Sequence, residues 1–377
     1  MRWFRRLGAA GLTLTLAGCG SLAAQPQPLS VGLPAAFPGV AGLSLRAVSP
    51  ELEGYVAHLA VSPSGVLETE ALWSNVPDAA SLLSWQPGTA HVQVSPYAAV
   101  GAATLNAAGR PAAAGRVGSK NFLEDAQGRQ TWSAPSELAP AAVAGGPAAV
   151  FAAVPLAAGG WELAEMRGGR VSLAPLPQVK GRIVAVQPGP EDGVWLAEDD
   201  PDAVMLWQNG AVQKQVPLTG TVMDLAPPRF AGAGGAVMAL VSGPGSFPET
   251  ADSLVRITPS QTIATSLAGS WLVPPGVQHY AGGVSRADWM SAQVALVTLW
   301  DSGLNQVSVA RVNLATGAMA ILPRSNFSPA LLNGQPPVFP LTQTPAGVVV
   351  VGQGYGLAFY IPTRASWSQF IKSSPVS

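Results

Sequence analysis

Carboxylates are the side chains of this sequence whose spacing best suits them to chemistry. Glu198, Asp199, Asp200 and Asp202 surround Pro201 between two apolar runs, Val194 to Ala197 and Ala203 to Trp207. Asp78, Glu249 with Asp252, and Asp301 with Asn305 hold comparable places between other apolar runs. No lysine or arginine falls in the corresponding stretches 74–80, 198–202, 242–252 and 301–305, so they are expected to give one rim of the fold a negative potential. Oxygen-rich loops can hold calcium, which takes about six to eight oxygen ligands, or steer a basic protein partner. The 198–202 run has no glycine at the sixth position and no glutamate at the twelfth, so it is not an EF-hand loop. Their plainest use is as solvated loop tips that keep a sparsely charged protein in solution.

Other chemistry is thinly represented. His58, His91 and His279 are scattered, and no two have metal-ligand spacing on one helix or strand. His279-Tyr280 and Arg286-Ala287-Asp288-Trp289 gather polar and aromatic groups ahead of an apolar run starting near 293. They read as an exposed loop with an internal Arg286–Asp288 pair, the alternative being a small polar pocket. There is no Gly-x-Ser-x-Gly elbow, phosphate loop, His-Glu-x-x-His or dinucleotide fingerprint. Ser81, Ser285 and Ser325 have no neighbouring base in sequence.

Arg2, Arg5 and Arg6 precede the apolar run Leu7 to Leu16, which ends in Leu16-Ala17-Gly18-Cys19. That run is shorter than the roughly 20 residues a membrane-spanning helix needs. The arrangement resembles the lipobox of bacterial lipoproteins. The resemblance implies that residues 1–18 are a signal peptide and that Cys19 is acylated as the mature N-terminus. It also implies attachment to a membrane on its extracytoplasmic side. Gly20 replaces the aspartate that retains some lipoproteins at the inner membrane, so an outer membrane, where one exists, is the expected location. Cys19 is the single cysteine, so the acylated protein would have no thiol left for a disulfide or a metal. Residues 19–42, with Gln25-Pro26-Gln27-Pro28, Pro34 and Pro38 and no charge, read as a semi-extended tether.

Charged residues make up 11% of the chain, against about 25% in ordinary globular proteins, so most of it should be buried. Loss of residues 1–18 removes three arginines and no acid, moving the net charge from −1 to −4. A nucleic-acid partner, which needs a basic surface, is therefore not expected.

Residues 43–377 alternate short apolar runs with Gly, Pro, Ser and Asn clusters. Between 182 and 217, four runs are joined by Pro188–Gly193, by the acidic loop and by Asn209-Gly210, a strong hairpin turn. Gly88, Gly128, Gly169 and Gly210 recur at spacings of 40, 41 and 41, and Pro259-Ser260, Thr316-Gly317 and Pro362-Thr363 continue the series more widely. Four strands per period of roughly 40–50 residues predict an all-β β-propeller of four-stranded blades, with seven blades expected and six or eight as alternatives. Innermost strands are expected at 56–61, 97–105, 140–144, 182–187, 222–226 and 338–342. Ring closure is expected through 43–48. Most tryptophans lie in apolar runs and should pack between blades, with Trp271 and Trp289 as surface candidates.

Asp125-Ala126-Gln127-Gly128-Arg129-Gln130-Thr131-Trp132 resembles the end of the tryptophan-docking repeat in quinoprotein-type propellers, and Asn313-Leu314-Ala315-Thr316-Gly317 resembles it in part, with Ile321 at the tryptophan position. Propellers of that type include an outer-membrane assembly lipoprotein, so the resemblance implies a possible scaffold role. Without a catalytic motif, the expected function is a non-catalytic, membrane-tethered binding or scaffold module with no cofactor, calcium aside. A propeller-type lactonase, dehydrogenase or glycosidase is the competing class. It would bring acidic or histidine side chains together on the axis.

Overall fold

The computed structural model describes residues 31–45 and 54–372, apart from 62–64, 74–79, 87–91, 98–99, 106–110, 134–137, 244–250, 268–281, 330–338 and the single positions 126, 147, 231 and 302. The lipobox, Asp78, His91, Glu249, Trp271, His279 and Tyr280 lie outside the described residues.

The described strands form seven four-stranded antiparallel sheets. Blade 1 runs from Gly54–Val61 to Val92–Tyr97, blade 2 from Val100–Leu105 to Gly128–Ser133, and blade 3 from Ala142–Gly145 to Arg170–Pro175. Blade 4 runs from Arg182–Pro188 to Ala211–Pro217, blade 5 from Thr221–Ala226 to Thr262–Ser266, and blade 6 from Gly282–Trp289 to Met319–Ile321. Blade 7 combines Leu341–Gln343, Val349–Gly352 and Gly356–Ile361 with an outer strand from the other end of the chain, Gly39–Ser44. The first strands of successive blades neighbour one another, and that of blade 7 neighbours that of blade 1. The ring is closed, and the fold is a seven-bladed β-propeller.

Blade 4 shows why the sequence folds this way. Asn209 and Gly210 both have positive φ, 53° and 78°, as the tight hairpin turn requires. Val194–Asp199 and Ala203–Gln208 are buried almost throughout, whereas Ala211–Pro217 alternates between exposed and covered positions. Continuous apolar runs thus mark strands with a blade on each side. Core clusters straddle blade boundaries: Phe151 and Leu163 of blade 3 pack with Ile183 and Met205 of blade 4. Trp195 and Val204 of blade 4 pack with Val222 and Val237 of blade 5. The indole of Trp195 also donates to Gly235 O at 2.7 Å, and the Lys214 ammonium to Thr258 O at 2.7 Å, joining blades 4 and 5.

Closure falls upstream of the expected 43–48 segment: Gly39 lies opposite Ile361 and Ser44 opposite Gly356. The chain end reinforces it. Pro362-Thr363 is not a hairpin turn, because the partner of Gly356–Ile361 comes from the N-terminal side. Thr363 instead caps the helix Arg364–Lys372, its hydroxyl accepting from Ser366 N at 3.0 Å. Trp367 and Phe370 of that helix join Phe359 of blade 7 and Trp85 of blade 1 in one aromatic cluster.

All six expected innermost strands are present, and Gly282–Trp289 is a seventh that the sequence reading placed in a loop. Trp289 is accordingly buried at 3% exposure, in edge-on contact with Phe230 at 5.5 Å, and not at the surface. Trp85, Trp195, Trp207, Trp300 and Trp367 are buried as expected. In the Asp125–Trp132 segment, the Asp125 carboxylate accepts from Gln127 N at 2.7 Å and Trp132 packs on the cluster shared by blades 2 and 3. Ile321, at the matching position of the partial copy, is 50% exposed.

Candidate functional site in the central channel

Five innermost strands share one irregularity. Register shifts between Val56 and His58, Val100 and Ala102, Ile183 and Ala185, Val222 and Asp224, and Val284 and Arg286. In each, a β-branched residue is followed by one extra residue, the local change by which a β-bulge re-aims the next side chain. His58, Ala102, Ala185, Asp224 and Arg286 therefore occupy one level of the ring. Blades 5, 6 and 1 place charged or titratable groups there. In blade 4, Ala185 at this register is buried in the core between blades 4 and 5, and the first strand of blade 3, Ala142–Gly145, is buried throughout.

His58 lies within electrostatic reach of the other two charged groups across the axis. Blades 1 and 5 are not neighbours, yet Asp224 and Arg286 both act electrostatically on His58. The Arg286 Nε lies 3.3 Å from Asp224 Oδ2, with side-chain exposures of 21% and 33%. Arg286 Nη1 donates to Ser285 O at 2.8 Å, and Asp224 Oδ1 accepts from Leu225 N at 2.8 Å. His58 is solvent-exposed, yet it sits deep inside the ring with blades on all sides. That enclosure pushes its pKa below the usual histidine value; Asp224 opposes the shift and Arg286 adds to it.

The sign of this shift gives a stability prediction. With a folded pKa below the unfolded value of about 6.5, the unfolded chain takes up the proton first as pH falls. Native stability should therefore decline between about pH 7 and pH 5, and His58→Gln should flatten that decline. Urea midpoints of both proteins at the two pH values check it; parallel declines would refute it.

A second cluster lies where the innermost strands end. Arg229, just beyond blade 5's first strand, donates its backbone N–H to Trp289 O at 2.9 Å. Its guanidinium reaches Asp288 Oδ1 of blade 6 at 2.6 Å and Thr342 Oγ1 of blade 7 at 2.5 Å. Asp288 Oδ2 accepts Gln343 N at 3.1 Å. Asp288 is buried, which raises its pKa against the opposing pull of Arg229 and the Gln343 N–H. Arg286 and Asp288 thus do not pair with each other in an exposed loop. Both lie in Gly282–Trp289 downstream of its bulge, where Arg286 pairs with Asp224 of blade 5 and Asp288 pairs with Arg229 and accepts from Gln343 N of blade 7.

The acidic loops lie on the opposite rim, with the blade-to-blade connections. Glu198 is fully buried at the end of its strand, and its Oε1 accepts the backbone N–H groups of Lys180 and Gly181, the latter at 2.6 Å. Asp199 pairs with Arg182 at 3.0 Å, Asp202 accepts Val222 N at 3.0 Å, and Asp301 accepts Leu304 N at 3.0 Å. Asp200 has φ 55° before Pro201, and Asp252 closes against Gly243. Glu198, Asp199 and Asp202 thus bond groups at the blade connections and Asp301 bonds its own loop, while Lys180 and Arg182 bring positive charge to the same rim. No group of three or more His, Cys, Asp or Glu with metal-site geometry occurs among the described residues. Asp199→Asn should change stability by less than about 1 kcal/mol, since the Arg182 side chain is 72% exposed. A larger shift in urea midpoint would contradict this.

Sequence reasoning treated His58 as one of three scattered histidines, did not single out Asp224, and misplaced Arg286. The signal that unites them is the β-branched residue two positions before each, visible once the innermost strands are aligned.

No protein-family model and no curated protein sequence matches the chain. Among solved structures, a streptogramin B lyase aligns with TM-score 0.55 at 12% identity over 85% of this chain and 96% of that one. Virginiamycin B lyase from Staphylococcus aureus aligns with TM-score 0.54 at 12% identity over 85% and 98%. The extracellular domain of a hybrid two-component system from B. thetaiotaomicron aligns with TM-score 0.54 at 10% identity over 87% of this chain and 43% of that one. At these identities the likeness establishes the propeller architecture, which a lyase and an extracellular domain of a two-component system both use.

Proposed function

We propose that the protein is a lipid-tethered, non-catalytic propeller of the bacterial envelope that holds a small polar ligand in its central channel. The supporting observation is that the Arg286–Asp224 pair of blades 6 and 5 lies within electrostatic reach of His58 of blade 1, all at one level of the ring. Channel-lining polar groups convergent on an otherwise apolar wall are the usual form of a small-molecule site. No described helix is long and apolar enough to cross a membrane. Acylation at Cys19 would supply the attachment in this reading, and an acylated N-terminal peptide in mass spectra of membrane-purified protein checks it.

Strand direction relates that tether to the site. Gly39 pairs with Ile361 at the rim where the innermost strands end, so the tether joins the ring on the Arg229–Asp288 side. The rim of blade connections is then free to face a ligand or a protein partner.

Binding is tested by screening a metabolite library for compounds that raise the melting temperature of the full-length protein in detergent. A ligand at about 100 times its Kd stabilises by about 2.7 kcal/mol, a shift that Arg286→Ala should remove. A library with no Arg286-dependent compound would refute the reading. No cofactor is part of it, so a chelator should leave the melting temperature unchanged. A fall would restore a calcium site.

A second reading, proton-transfer catalysis, is favoured by the same cluster. A neutral imidazole beside a carboxylate can accept a proton, and Arg286 could stabilise a developing anion. Conversion of a bound compound by wild type but not by His58→Gln would establish it over the first.

A further inference from the structure

We infer that the channel ligand is a zwitterion, an amino-acid-like molecule whose carboxylate meets Arg286 and whose ammonium meets Asp224. This rests on the channel-binding reading and specifies the chemistry of the same site.

The two ion pairs of the channel differ in how fully they are used. In the Arg229–Asp288 pair the guanidinium also holds Thr342 and the carboxylate also holds Gln343 N, with the side chains of Arg229 and Asp288 31% and 6% exposed. Arg286 and Asp224 approach to 3.3 Å through Nε without a hydrogen bond, and both side chains are partly exposed, 21% and 33%. Arg286 Nη1 is taken by a backbone carbonyl, while Nη2 makes no hydrogen bond with the described residues. The open pair therefore has donor and acceptor capacity that the blades leave unused.

Its charges select the partner. Arg286 would attract a simple anion, but Asp224 beside it repels that anion. The reverse holds for a simple cation. His58, held toward its neutral form, tips the balance neither way. A molecule bringing both signs exchanges one long contact for two charge-assisted hydrogen bonds, the stronger class. Because a partly solvated pair contributes little by itself, opening it costs little.

Calorimetric titration of the full-length protein in detergent tests this with a ligand series, so the outcome does not depend on a variant folding. The series comprises alanine and leucine, their N-acetyl derivatives, their methyl esters, and acetate and methylammonium as isolated halves. Free amino acids should bind, blocking either end should weaken binding at least tenfold, and the halves should not bind measurably. Arg286→Ala and Asp224→Asn should each reproduce the loss seen when the matching end is blocked. Blocked forms binding as well as free ones, or no amino acid binding at all, overturns the inference. If other compounds still bind in an Arg286-dependent way, the channel reading survives that failure; if none does, both fall.

Discussion

Glu198→Ala is expected to cost about 3 kcal/mol of stability, although the residue belongs to the most acidic run of the sequence. Its carboxylate is fully buried and accepts two backbone N–H groups, from Lys180 and Gly181, at the connection into blade 4. Truncation leaves both donors without an acceptor, at roughly 1–3 kcal/mol each when buried, and adds a cavity. The backbone is in place for this: a Cβ on Gly181 would stand 1.9 Å from Asp199 O, so the connection sits directly against the strand end. Glu198→Gln keeps an acceptor at Oε1 and should lose about half as much. Urea unfolding of the two variants checks the ordering. A solvated loop tip would change by only about 0.5 kcal/mol, and that result would return Glu198 to the role its sequence neighbours indicate.

Asp288→Ala should cost a similar amount, about 3 kcal/mol, at the low end for breaking a buried ion pair because the Arg229 side chain is 31% exposed. The substitution removes a bridge between blades 5, 6 and 7, leaving Arg229 without its carboxylate and Gln343 N without its acceptor. Titration of Asp288 runs opposite to that of His58. Burial raises the folded pKa of Asp288 above the unfolded value of about 3.9. Between the two values the folded state holds the extra proton, so this residue adds stability as pH falls and carries its full charge-burial cost above the raised pKa. Asp288→Asn should abolish that acid-side gain while keeping an acceptor for Gln343 N. Urea midpoints between pH 4 and pH 7 separate the variants. An Asp288→Ala loss below about 1 kcal/mol would show that Arg229 finds adequate solvation alone.

Much of the architecture was legible in the chain. The turns at Asn209-Gly210 and Thr316-Gly317 need positive φ, which is a local property, and the apolar runs of blade 4 need burial on both faces. Six of the seven innermost strands could therefore be placed from sequence. The seventh, Gly282–Trp289, was hidden because Arg286 and Asp288 break its apolar run, so a buried strand looked like a polar loop. The acidic residues misled in the other direction. Four acids near Pro201 look alike as letters, but Glu198 ends a strand beneath the loop while Asp199 and Asp202 bind groups at its margin.

The repeat of short strands and turns by itself determined that this protein is a ring of antiparallel blades, because strand period and turn conformation are set by neighbouring residues. Which side chains face one another was decided only by tertiary structure. His58, Asp224 and Arg286 stand far apart along the chain and belong to three blades. They come together because seven blades close a circle and a bulge re-aims one residue at the same height in each of those strands.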